Sequence, residues 1–109
     1  MSLARYTTSA QLMRDRAAYR VALAAISERE GVSVRDVMAR RKRSMAAAKL
    51  HNQALYLAVV VCGVPGRAVA RAAGVSESYV RRVLRLIEEA RDDAALDRRL
   101  DELELRIGR

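Results

Sequence analysis

Apolar residues along the chain recur at the interval of helices, not of strands. Leu12, Tyr19, Leu23 and Ile26 fall one above another on a helical wheel, the spacing that gives a helix a single apolar stripe. Ser9 stands before this stretch and Gly31 after it. A serine oxygen can accept a free N–H of the first turn, and a glycine takes the left-handed turn that closes a helix. The pattern predicts a first helix over residues 10–30. Ser33 then caps a short second helix over 34–39, with Asp36 in its first turn, where the helix dipole favours a carboxylate. A third helix over 44–62 becomes apolar on most sides late in its length, through Leu50, Leu55, Leu57, Val59 and Val61, as a central, buried helix does. Gly63-Val64-Pro65-Gly66 breaks it. A fourth helix is expected over 66–73, a tight turn at Gly74-Val75-Ser76, and a fifth helix over 77–91. Asp92-Asp93 opens a sixth, whose Leu96, Leu100, Leu103 and Ile107 form one stripe. Residues 1–8 read as a flexible tail. Neither an internal repeat nor a low-complexity stretch is visible.

Composition agrees with this pattern and fixes its class. The 109 residues suffice for one domain, with one core and no second. Ala, Leu and Arg, all strong helix formers, dominate; five Gly and one Pro leave little material for hairpins. The expected fold is all-α, a compact bundle of about six helices. Cys62 is the sole cysteine, which excludes an internal disulfide, and its apolar neighbours suggest a buried small hydrophobe. The N-terminus carries no apolar segment of the secretory kind, and the run from Ala54 to Cys62 is far too short to span a bilayer. A cytoplasmic location, associated with the nucleoid, and no membrane partner are the expectations.

Charge changes the picture more. The formal net charge is +8, unevenly distributed: residues 92–109 hold six acids and four bases, whereas residues 1–91 hold seventeen bases, fifteen of them Arg, against seven acids. Guanidinium forks match phosphate oxygens and the guanine edge, so an Arg-rich excess favours nucleic acid. An Arg-rich surface of purely compositional origin would look the same, and position has to decide. Two positions do. The first is the four-base run Arg40, Arg41, Lys42 and Arg43, where the second helix should end. The second is the stretch from Arg67 to Val83. Ala70 is small where two crossing helices would touch, and Gly74, four residues on, can supply a positive φ without steric cost. Val69, Ala73, Val75, Val80 and Val83 fall inward, while Ser76, Glu77, Ser78, Tyr79, Arg81 and Arg82 fall outward. That combination reads as a helix-turn-helix over residues 66–85, whose second helix presents its N-terminal residues to the major groove.

Roles follow from side-chain chemistry. Arg81, Arg82 and Arg85 can donate bidentately to guanine or reach phosphate. Ser76, Ser78 and the helix N-terminus suit phosphate. Tyr79 can touch a thymine methyl or a phosphate, or pack on the domain surface. Glu77 can accept from cytosine N4, and equally can serve as a first-turn dipole partner.

The order of these segments resembles a known family. Val32-Ser33-Val34-Arg35-Asp36-Val37, the basic run 40–43, Leu50-His51-Asn52-Gln53-Ala54-Leu55-Tyr56-Leu57 and the helix-turn-helix together are similar to the C-terminal DNA-binding domain of the bacterial replication initiator DnaA, of the Trp-repressor-like helix-turn-helix type. The resemblance covers roughly residues 20–91. It implies that Arg40, Arg41, Lys42 and Arg43 enter the minor groove, that Lys49, His51 and Asn52 approach the DNA backbone, and that the recognition helix reads the adjacent major groove. The departures matter as much. Where that family reads "GGRDHTTV", this chain has Gly74-Val75-Ser76-Glu77-Ser78-Tyr79-Val80, so binding to the initiator box is not expected. A G-x-x-x-x-G-K-[ST] phosphate loop is also missing. Stand-alone domains of this type act as transcriptional activators, including activators of phage-like gene transfer agents.

The remaining chemistry is sparse. One His and one distant Cys make no metal site, and no catalytic constellation can be assembled; no cofactor and no enzymatic activity are expected. The expected organisation is a tail at 1–8, a DNA-binding domain at 9–91 and an amphipathic helix at 92–109. That last helix either folds back on the core or serves to dimerise or dock a partner such as a second transcription factor or RNA polymerase. Three functions fit: a sequence-specific regulator bound to double-stranded DNA, an origin binder or competitor of the initiator, and a helical adaptor whose basic face meets an acidic protein.

Overall fold

The computed structural model describes residues 8–39 and 44–108, and every regular element among them is a helix. They are α1 (Ser9–Glu30), α2 (Val34–Met38), α3 (Met45–Val60), α4 (Gly66–Ala73), α5 (Glu77–Ala90) and α6 (Ala94–Ile107). The all-α bundle of six helices expected from the pattern is the one observed. The expected basic run at 40–43 and residues 1–7 of the tail expected at 1–8 lie outside the described residues.

Each helix end has an identifiable cause. Thr8, not Ser9, caps α1: its Oγ1 accepts the Gln11 N–H at 3.0 Å, and Ser9 becomes the first helical residue. Two adjacent hydroxyls competed for one cap, and either was chemically able to fill it. Gly31 closes α1 at φ 68°, donating to the Ser27 carbonyl, while the Ser27 hydroxyl donates to the Val32 carbonyl and pins the turn into α2. Ser33 and Ser44 cap α2 and α3 through the Asp36 and Ala47 N–H groups. The third helix ends two residues short of its expected end. Val61 and Cys62 both donate to the Leu57 carbonyl, the chain reverses through Gly63 at φ 70°, and the Val64 N–H returns to the Ala58 carbonyl. This reversal tucks Val64 into the core. Cys62 is half-buried rather than fully enclosed, and that burial pushes its thiol pKa up.

The core is built around α3. Leu50, Ala54, Leu55, Tyr56, Leu57 and Ala58 are buried there, so the helix is enclosed on nearly all sides. Around it stand Tyr19, Leu23 and Ile26 of α1, Val37 of α2, Val69 of α4, and Val83 and Ile87 of α5. Helix α6 folds back. Leu100 and Leu103 are fully buried, with Leu96 and Ile107 partly covered against the same core. It lies along α1, where Arg29 bonds Glu102 at 2.7 Å and Arg99 faces Glu30 at 3.4 Å.

A second fastening joins α6 to α5 and α3. Arg91, just beyond α5, places Nε 2.6 Å from Asp97, Nη2 2.6 Å from Asp101, and Nη1 3.0 Å from both Glu104 and the Tyr56 hydroxyl. Tyr56 in turn donates to Glu88, and the guanidinium lies over its ring at 5.9 Å. The hydrogen bonds that Arg91 donates to Tyr56 and Asp97 hold it charged beyond the usual arginine range. Burial, reinforced by the hydrogen bond to Glu88, pushes the Tyr56 hydroxyl up. Much of the acidity of residues 92–109 is therefore spent inside the fold.

Candidate nucleic-acid interface

Helices α4 and α5 meet through a short turn whose geometry matches the sequence pattern. Gly74 sits at φ 72° and ψ 32°, the left-handed conformation that costs a side-chain-bearing residue roughly 1–2 kcal/mol. Its N–H and that of Val75 both return to the Ala70 carbonyl, the latter at 3.0 Å. Ala70, Val69, Val80 and Val83 are all buried. Gly66 opens α4 against α5: a Cβ there would stand 3.7 Å from Val80 Cγ1, an ordinary contact. Ser76 caps α5, its Oγ accepting the Tyr79 N–H at 3.1 Å, and lies 3.2 Å from the Ser78 hydroxyl.

With the valines committed inward, the outer face of α5 is left to polar residues. Ser76, Glu77, Ser78, Arg81, Arg82 and Arg85 are exposed. Arg81 reaches Glu77 at 3.3 Å, one turn earlier, with 66% and 53% of the two side chains exposed. Glu77 therefore acts as a local partner of Arg81 as well as a first-turn carboxylate. So exposed a pair contributes little stability, and the guanidinium can turn to another acceptor at little cost.

Tyr79 is fixed more firmly. Its hydroxyl donates to Asn52 Oδ1 of α3 at 2.6 Å, and the Arg82 guanidinium lies over its ring, 5.2 Å from the centroid. Of the two roles open to it, surface packing is the one the geometry displays. Asn52 meanwhile supports α5 through Tyr79. No feature of the sequence pairs residues 52 and 79, which lie 27 positions apart.

The chain matches no family model, no curated protein and no solved structure. Lys49 is exposed on α3, one turn before the half-buried Asn52. His51 is different. The expectation that it approaches the DNA backbone is corrected here: it is 1% exposed, and its Nε2 lies 2.8 Å from the Tyr19 hydroxyl, with the two rings edge to face at 85°. A helix turns about 100° per residue, so the neighbours of an exposed Lys49 need not share its face. His51 points into the bundle and joins α3 to α1. Arg40, Arg41, Lys42 and Arg43 are outside the described residues, although Ser44, which follows them, leads directly into the helix that carries Lys49 and Asn52.

The candidate surface thus comprises a capped helix N-terminus, three exposed arginines on α5, a stacked and tethered tyrosine, and, on α3, Lys49 one turn before the Asn52 that tethers it. Among the described residues, no three His, Cys, Asp or Glu side chains gather as a metal site would need, and no helix is long and apolar enough to cross a membrane.

Proposed function

We propose that this chain binds double-stranded DNA in a sequence-dependent way and regulates transcription. The observation that carries the reading is the α4–Gly74–α5 pair, packed through Ala70 and the valines, with Arg81, Arg82 and Arg85 exposed along the outer face of its second helix. Guanidinium groups at such positions can read the O6 and N7 of guanine in the major groove. The Ser76 and Ser78 hydroxyls and the first-turn N–H groups of α5 suit flanking phosphates. Lys49 adds a phosphate contact from α3. The resemblance to the initiator's DNA-binding domain adds the basic run Arg40–Arg43 as a minor-groove arm, while the different recognition helix favours a different site and hence a regulator over an origin binder. An activator of phage-like or gene-transfer-agent genes is the specific role this reading favours.

Selection from a pool of randomised duplexes tests it. The expected outcome is enrichment of a short motif, bound on the order of 10³-fold or more tightly than random sequence at the same salt concentration. Arg82→Ala should cost about 1–3 kcal/mol on the enriched motif and less on random duplex. Recovery of no motif, or equal binding of all duplexes, would reject the proposal.

A further inference from the structure

Beside the surface just described, a trough of about 570 Å³ runs between α3, α5 and the start of α6. It adjoins a second depression of about 290 Å³ that reaches Glu30 and Val32, and Lys49, Gln53 and Arg99 line both. The wall formed by α5 and α6 is mostly apolar: Leu86, Ile87 and Leu96 line it, Leu86 is 51% exposed, and the one carboxylate among the lining residues, Asp93, has its Oδ1 engaged by the Ala95 and Leu96 N–H groups. Where the two depressions join, the chemistry reverses. Lys49 has no carboxylate within ion-pair distance among the described residues, and Arg99 offers only Nε to Glu30, at 3.4 Å. Gln53, only 6% exposed, lines both depressions with these cations; its Oε1 is buried and accepts no hydrogen bond. Glu30 Oε1 in the second depression is likewise buried without one, with only the Arg29 and Arg99 guanidinium groups at 3.6 and 3.4 Å.

A buried acceptor without a donor costs about 1–3 kcal/mol, and native folds rarely leave one unmet. Two cations, an orphan acceptor and an aliphatic wall define a complement. We infer that this trough binds a small organic anion: a carboxylate between Lys49 and Arg99, an adjacent N–H donating to Gln53 Oε1, and an aliphatic body against Leu86, Ile87 and Leu96. The volume lies within the range of small-molecule sites, roughly 300–1,000 Å³. Among the described residues no aromatic ring lines either depression, so a nucleobase would find nothing to stack on, and an aliphatic body fits better. N-acylated aliphatic amino acids combine all three features.

The site also shares residues with the proposed interface. Lys49 and Asn52 line the trough, and Asn52 holds Tyr79. If the proposed function holds, a carboxylate that engages Lys49 withdraws it from phosphate, and the anion weakens DNA binding. By linkage, DNA weakens the anion's binding by the same factor.

The test uses the full chain and N-acetyl-L-leucine, with N-acetyl-L-leucinamide as the uncharged match, followed by amide and methyl NMR spectra without DNA. Saturable shifts are expected at the Leu86 and Leu96 methyls and the Gln53 side-chain amide, with Kd of about 1 mM or below for so small a ligand. Binding should weaken at least about tenfold, some 1.4 kcal/mol, for the leucinamide and for Gln53→Leu. Gln53→Leu removes the orphan acceptor and should melt no lower than the parent, so its lost binding would not reflect unfolding. Shifts that fail to saturate, that match for acid and amide, or that survive Gln53→Leu would overturn the site. A separate titration on the selected duplex measures antagonism. Unchanged DNA affinity at saturating probe would overturn the coupling alone, and a chain that binds no duplex would overturn the proposed function while the spectra still decide the site.

Discussion

Tyr79 is the residue on which the proposed DNA-binding surface turns. Its ring carries the Arg82 guanidinium and its hydroxyl is held by Asn52, so one side chain joins a base-reading candidate to the central helix. A cation over an aromatic face gains about 0.5–1 kcal/mol when exposed, enough to bias where Arg82 points without locking it. Tyr79→Phe keeps the ring and loses only the hydrogen bond. It should lower stability by about 1 kcal/mol and narrow the difference between selected and random duplex, while leaving random-duplex affinity unchanged. Asn52→Ala should do the same, and the double variant should lose little more than either single one, because both remove one interaction. Fluorescence anisotropy on both duplexes reads the effect; additive losses would show that Asn52 and Tyr79 act separately. His51 gives the opposite lesson. Lys49, two positions before it, is exposed and Asn52, which follows it, is bonded to Tyr79 of α5, yet the His51 nitrogen is bonded to Tyr19, 32 positions away.

At the scale of elements, two joints carry the fold toward its proposed task. The first is Gly74. Gly74→Val sets a β-branched side chain at φ 72° and should destabilise the chain by about 2 kcal/mol or more, with DNA binding lost at temperatures where the other helices persist. Gly66→Ala, with ordinary room for its Cβ, is the matched control and should bind and melt like the parent; circular dichroism melts separate the two. The second joint is Arg91, which gathers Asp97, Asp101, Glu104 and Tyr56 with only 18% of its side chain exposed. Arg91→Met should lower stability by about 2–4 kcal/mol, since it leaves the clustered carboxylates facing one another, and hydrogen exchange should quicken in α6 before it does in α3. The same joint predicts a pH response. Tyr56 keeps its proton above the ordinary value of 10.0 because burial opposes the phenolate. The folded chain then holds a proton that the unfolded chain releases, so this contribution is whole below pH 10 and fades as pH rises past it. Tyr56→Phe should flatten that part of the alkaline denaturation curve.

For the whole molecule, charge is sorted by the fold. The acids of α6 are largely engaged with Arg91 and, at Glu102, with Arg29 of α1, while the arginines of α5 remain outward. A net charge of +8 is thereby concentrated away from α6. Duplex binding should accordingly be steeply salt-dependent, and replacing Arg41 and Arg43 by Ala should reduce the slope of log K against log salt by about 2, near one unit for each lost phosphate contact. An unchanged slope would place residues 40–43 outside the interface.

The sequence alone determined the helices, because helical periodicity, caps and left-handed glycines are written within a few residues of one another. Six helices, the turn at Gly74, the inward valines of α4 and α5 and the outward arginines were all legible in this way. Only the tertiary structure decided which polar side chains meet across the bundle. Tyr79 with Asn52, Tyr56 with Arg91 and His51 with Tyr19 are separated by 27, 35 and 32 positions, and no local spacing encodes such a pairing. The apolar stripe of α6 favoured the core and left a partner as the alternative. The buried Leu100 and Leu103, fastened by Arg91, settled that choice, since one guanidinium surrounded by acids on α6 and bonded to Tyr56 of α3 holds the helix in place where hydrophobicity alone had left it free.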